Sequence, residues 1–233
     1  MSHVSINVDF SKVYKNANEI LVANTIIETF PYKISSLIKE QTDIRICTYT
    51  KALEKYGIDN RVFGSNSADI KEFCGAYVIF CNDNEPEYRV RYSVAHEMGH
   101  YVNGHKMNIK VDDPLYEKQE IEANCFAAQI LMPEQIIREF RHRGKVVDVD
   151  FLVDVFGVSE DAAQKRLKTL AKVEYEWRNR SEKEYDDLII MKYSTFIDKV
   201  APLKKQRFFY ESNYEDDLQR ERDSWLDSRT RWS

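Results

Sequence analysis

"RYSVAHEMGHYVNGH", Arg91 to His105, carries three of the chain's five histidines, and the reading of this stretch decides the rest. Between Pro86 and Gly104 a helix is expected. Residues four apart on a helix share a face, so His96 and His100 point the same way and can both reach one ion. Glu97 lies about 100° further round, beside such an ion, where a carboxylate can take a proton from water. The plain alternative is a chance HExxH on a solvated helix. Val94, Ala95, Met98 and Gly99 argue against it, because they mark the helix as buried. Two imidazoles and a carboxylate buried together are costly unless something satisfies them, and a metal does so. Zinc suits the set. It takes nitrogen ligands at about 2.0–2.1 Å and, in catalytic sites, keeps one position open.

A third protein ligand is needed. His105 follows His100 by five residues. The metzincin pattern requires a glycine three and a histidine six after the second histidine; Asn103 and Lys106 stand there, so that class is excluded. The next helix, expected from about Tyr116 to Met132, carries "EIEANCFAAQILMP", with Glu120 and Glu122. Glu120 shares a largely apolar line with Asn124, Ala127 and Leu131. Glu122 shares a more polar one with Lys118 and Gln129. A ligand from the buried line favours Glu120, with Asn124 one turn on to hydrogen-bond a liganding histidine. Glu122, able to pair Lys118, and His105 stand as alternatives. Tyr101, His105 and Tyr116 are candidates to stabilise an oxyanion.

With 43% hydrophobic residues in 233, the chain can build a core, and its net charge of −5 argues against direct nucleic-acid binding as the main task. No leader pattern opens the chain, and no apolar run approaches the roughly 20 residues of a membrane helix. The four cysteines form no CxxC pair and read as thiols of a reducing, cytoplasmic setting. No pattern specifies an oligomeric state.

Helical periodicity runs over 13–30 up to Pro31, then over 32–41. Residues 43–50 read as a strand, 51–57 as a short helix capped by Gly57, and 61–73 as strand and loop. "AYVIFC", Ala76 to Cys81, is the clearest strand and is expected at the sheet edge, where an extended substrate could pair with it. "FLVDVFGVSEDAAQKRL" (151–167) has the form of a helix-turn-helix. It either offers Gln164, Lys165 and Arg166 to DNA or packs as a hairpin with Arg166 and Lys168 solvated, and the chain's acidity favours packing. The stretch "PLKKQRFFY" (202–210) is basic and aromatic, and 212–232 reads as an amphipathic helix. The expected fold is α+β and mainly helical: a zincin-like peptidase core with a small antiparallel sheet over the HExxH helix. Residues 1–145 would form the peptidase domain and 146–173 the helix-turn-helix-like segment. Residues 174–233 would be a C-terminal accessory that recognises a partner or gates the cleft.

The two helical motifs, together with the strand "AYVIFCN", resemble the ImmA/IrrE family of metallopeptidases over roughly Tyr14 to Lys172. The resemblance implies zinc held by His96, His100 and the glutamate four before Asn124, which is Glu120, with Glu97 as catalytic base. It also implies a protein substrate, often a helix-turn-helix repressor of a mobile element or stress operon. One departure stands out: the family often has a histidine four after the second motif histidine, where this chain has Gly104. The expected function is a zinc-dependent endopeptidase acting on such a repressor. The alternative is a zinc-containing regulator that binds a repressor or DNA without cutting.

Overall fold

The computed structural model describes residues 7–107, 109–172, 180–203 and 218–222, without the side chains of 180–182. In chain order these form α1 (Phe10–Ala23), α2 (Ile34–Gln41), β1 (Arg45–Thr48), α3 (Tyr49–Tyr56), β2 (Ala68–Phe73), β3 (Ala76–Cys81), α4 (Glu87–Val102), α5 (Pro114–Leu131), α6 (Glu134–His142), α7 (Val149–Phe156), α8 (Glu160–Leu170), α9 (Arg180–Lys192) and α10 (Ser194–Val200). The described chain is mainly helical with one small sheet. It divides into two units, residues 1–202 and 203–233, and all the named elements belong to the first. In the second, 218–222 are helical. Apart from these and 202–203, the basic-aromatic stretch and the helix expected over 212–232 lie outside the described residues.

The sheet corrects two expectations. Its order is β1–β3–β2, with β1 parallel to β3 and β2 antiparallel, Ile70 opposite Ile79. It is therefore mixed rather than antiparallel, and Ala76–Cys81 is its centre rather than its edge. The cause is burial on both faces. Val78 and Phe80 pack with Cys47, Tyr49 and Ala52 on the α3 side, while Ile79 and Cys81 join the main core with Val94, Ala95 and Met98 of α4. A strand covered on both faces reads as a continuous apolar run and belongs in the middle. The open edges are β1 and β2.

The first helix stops at Ala23, seven residues before Phe30. Asn24 ends it: its Nδ2 donates to the Leu21 carbonyl (2.7 Å) and its Oδ1 accepts from Ile27 N–H (3.0 Å), taking the place of the next helical turn. Lys192 Nζ adds a cation there, donating to the carbonyls of Leu21 (2.9 Å), Val22 (3.0 Å) and Asn24, where the helix dipole favours positive charge.

α7 and α8 form a hairpin about left-handed Gly157 (φ 58°), with Ser159 Oγ capping α8 by accepting from Ala162 N–H (3.2 Å). It is bolted to the core by two buried arginines. Arg91 of α4 donates to the carbonyls of Phe156 (3.1 Å) and Gly157 (2.9 Å). Arg166 is neither solvated nor offered to DNA. It is 2% exposed and donates to the Met132 carbonyl (3.1 and 2.9 Å), Tyr14 Oη (3.2 Å) and Gln129 Oε1. It thus satisfies a carbonyl that the end of α5 would leave unpaired. Gln164 and Lys165 face solvent. α9, α10 and Tyr193 between them contribute Ile189, Tyr193, Phe196 and Ile197 to the same core. Among the described residues, no helix is long and apolar enough to cross a membrane. All four cysteines are free.

Candidate metal centre

The site forms where α4 and α5 cross, and Gly99 sets how closely. A Cβ built there would lie 3.1 Å from Phe126 Cβ and 3.2 Å from Ala123 Cα, so the helices meet almost backbone to backbone. Glu120, one turn before Ala123, is thereby brought over the pair of histidines one turn apart on α4. His96 Nε2 and His100 Nε2 are 3.0 Å apart. Glu120 Oε2 is 3.4 Å from His96 Nε2, and its Oε1 is 3.4 Å from His100 Nε2. A tetrahedral zinc with ligands at 2.0–2.1 Å would hold its donors about 3.3 Å apart, so this triangle has the right size. Two neutral imidazoles and one carboxylate, with a fourth direction left over, are also the right chemistry for a catalytic zinc site. Among the described residues, His96, His100 and Glu120 form the group of potential ligands whose donor atoms all fall within 4.8 Å of one another.

The electrostatics prepare the site for a cation. Hydrogen bonds from His100 and then His96 hold the Glu120 carboxyl well below the usual carboxylate range. Burial pulls His96 down, but its bond to Glu120 and the charges of Glu97 and Glu120 outweigh this and raise it. Asn124 lies beside His96, with Nδ2 donating to the Glu120 carbonyl (2.8 Å) and Oδ1 accepting from Tyr92 Oη (3.3 Å). Glu97 sits off the histidine line, as the helix geometry requires. Burial raises its pKa, opposed by His96, His100 and the Ile70 N–H. That N–H, on edge strand β2, donates to Glu97 Oε2 (3.0 Å).

Glu120 and Glu122 of α5 exchange the environments expected of them. Glu122 is the buried one, 6% exposed, and Glu120 keeps a third of its side chain (33%) accessible. Glu120 is at the donor triangle because its face of α5 meets the histidines, not because its line is apolar. Glu122 does approach Lys118 (3.6 Å), but its closer partners are His105 Nε2 (3.1 Å) and the Asp9 N–H (2.9 Å). Neither Glu122 nor His105 joins the donor group. Tyr101 Oη donates to Asp43 (2.5 Å). Tyr116 is raised first by the charge of Glu120, then by burial and by Glu97, which keeps its hydroxyl protonated beside the site. The Ile70 N–H went unseen because only strand order brings it to Glu97. The His105–Glu122 contact had one sequence signal: Gly104, a helix stop that folds the chain back.

A search against curated proteins returns no match. The family model of peptidase M78, described as an IrrE N-terminal-like domain, matches residues 48–168, from the start of α3 to within α8. The match takes in both motifs and spans more than half of the 233 residues, and the chain belongs to the IrrE N-terminal-like family of M78 metallopeptidases.

Proposed function

We propose that the protein is a cytoplasmic zinc-dependent endopeptidase with a zincin-like core, and that it hydrolyses a specific regulatory protein, a helix-turn-helix repressor. The observation that carries this reading is the donor triangle of His96, His100 and Glu120 with a half-buried carboxylate, Glu97, pinned beside it by the Ile70 N–H. Zinc held by the three would supply Lewis acidity, acidifying water to a pKa of about 7 and polarising a carbonyl.

The remaining work falls to the chain's own residues. Glu97 is the general base. Ile70 fixes its Oε2, and we assign the proton to Oε1, from which it passes to the leaving amine. Its raised affinity for a proton suits a group that must take one and give it back. Tyr116, kept protonated by its acidic neighbours, is the donor assigned to the developing oxyanion. A substrate strand would pair along the open edge of β2, where the Ile70 N–H already turns toward Glu97 and away from β3. The repressor as substrate rests on the resemblance to the ImmA/IrrE family. A DNA-reading role loses Arg166, which is buried in the core.

The test mixes zinc-loaded protein, and a Glu97→Gln variant, with a helix-turn-helix repressor chosen from the genes neighbouring its own and with unfolded casein. One discrete cut in the repressor by the parent, little casein turnover, and zinc retained without cleavage by Glu97→Gln is the expected result. Cleavage by Glu97→Gln at the parent rate would overturn the assignment of the base. Tight repressor binding without any cut would favour the non-cleaving regulator.

A further inference from the structure

The last turn of α4 ends in a Schellman motif. Gly104 is left-handed (φ 69°). Its N–H donates to the Tyr101 carbonyl (3.0 Å), and the following N–H, of His105, donates to the His100 carbonyl (2.9 Å). This pair of bonds returns the second residue past the cap to the residue five before it. An apolar contact frequently accompanies such a turn; here it joins two imidazoles, His105 Nδ1 lying 3.0 Å from His100 Nδ1. The opposite nitrogen of His105 lies 3.1 Å from Glu122 Oε2. The second oxygen of Glu122 accepts the main-chain N–H of Asp9 (2.9 Å), the cap residue of α1, and Lys118 approaches it at 3.6 Å. His105 and Glu122 are both buried. A buried imidazole and carboxylate are costly to keep, and the proposed chemistry uses neither.

One arrangement of protons satisfies the whole row. With its Nε2 lone pair turned toward the donor triangle, His100 carries its proton on Nδ1 and donates it to His105 Nδ1. His105 then carries its own proton on Nε2 and donates it to Glu122. We propose that His105 and Glu122 are positioning residues of the metal centre, forming a relay Glu122–His105–His100 that fixes the tautomer and ring orientation of His100 and strengthens Nε2 as a ligand. Liganding histidines commonly pass their second N–H straight to a carboxylate, carbonyl or water; here an imidazole stands between, and the Gly104 turn puts it there. The outer end is tied through Asp9 to α1, so the proposed ligand His100 is braced by a helix outside the α4–α5 crossing. The relay rests on the reading of His100 as a ligand.

The test measures zinc affinity by chelator competition and the visible spectrum of the cobalt-substituted protein. It uses the full chain and the variants His105→Ala, His105→Gln, Glu122→Gln, the double variant His105→Ala with Glu122→Gln, and Lys118→Ala. His105→Ala and Glu122→Gln should each weaken zinc about 10–100-fold and shift the cobalt bands. The double variant should bind no worse than His105→Ala, because Glu122 acts through His105. His105→Gln, whose carbonyl can accept from His100, should recover part of the loss, and Lys118→Ala should bind as the parent does. Affinities within about threefold of the parent for both His105→Ala and Glu122→Gln, with cobalt bands unmoved, would overturn the relay. His100→Ala separates the two claims. If it keeps full zinc affinity, the metal-centre reading falls; if it loses zinc while His105→Ala and Glu122→Gln do not, only the relay falls.

Discussion

Replacing Gly99 by alanine perturbs the helix crossing on which the donor triangle depends. The new Cβ would stand 3.1 Å from Phe126 Cβ and Cδ1 and 3.2 Å from Ala123 Cα, against an optimum of about 3.5–4.0 Å between carbons. Phe126 Cδ1 can pivot aside, but Phe126 Cβ and Ala123 Cα are fixed by the backbone of α5, so α5 must move away by about 0.4 Å. Overpacking of this kind costs about 1–3 kcal/mol, and the gain from removing a mid-helix glycine offsets about 0.5–1 kcal/mol of it. The metal-free protein should therefore lose up to about 2.5 kcal/mol, read from urea unfolding, and Gly99→Val about 3 kcal/mol or more. The second readout is specific to the site. Glu120 rides on α5, and a shift of this size exceeds the roughly 0.2 Å within which ligand distances must hold, so zinc affinity should fall in Gly99→Ala even where the fold persists. A variant more stable than the parent, by the increment expected of glycine to alanine in an open helix and with zinc affinity unchanged, would refute the close crossing.

Two further outcomes are expected. Arg166→Met should destabilise the protein by about 2–3 kcal/mol, since it strands the Met132 carbonyl and leaves Gln129 Oε1 with only the Glu134 N–H, whereas exposed Lys165→Ala should stay within about 0.5 kcal/mol; denaturant midpoints check both. Free zinc at 100 times its Kd should add about 2.7 kcal/mol of stability, reversed by a chelator and absent from His96→Ala, and calorimetric Tm measures it.

The histidine pair is legible because a four-residue spacing on a helix needs no tertiary knowledge, and Gly57 likewise marks its cap, and the stretch 151–167 its helix-turn-helix form, locally. The apolar line of α5 is the wrong ground for favouring Glu120. Periodicity along one helix does not report burial here, because the environment of Glu122 comes from His105 and Asp9, residues remote in sequence that only the fold delivers. Strand order was illegible for the same reason, although the unbroken run Val78 to Cys81 already pointed to a strand covered on both faces. Arg166 looked like a solvated or DNA-facing cation because its acceptors, Met132 and Gln129, lie more than thirty residues away. The early end of α1 is a local effect of Asn24, which periodicity alone passes over.

The most direct test of the account is X-ray absorption at the zinc edge of the zinc-loaded protein, with Glu120→Ala beside it. Four light-atom neighbours at about 2.0–2.1 Å, the outer-shell signature of two imidazoles, no sulfur, and a marked loss of bound zinc in Glu120→Ala are predicted. A sulfur neighbour at about 2.3 Å, or an unchanged spectrum and zinc content in Glu120→Ala, would contradict the assignment of His96, His100 and Glu120 as the metal centre.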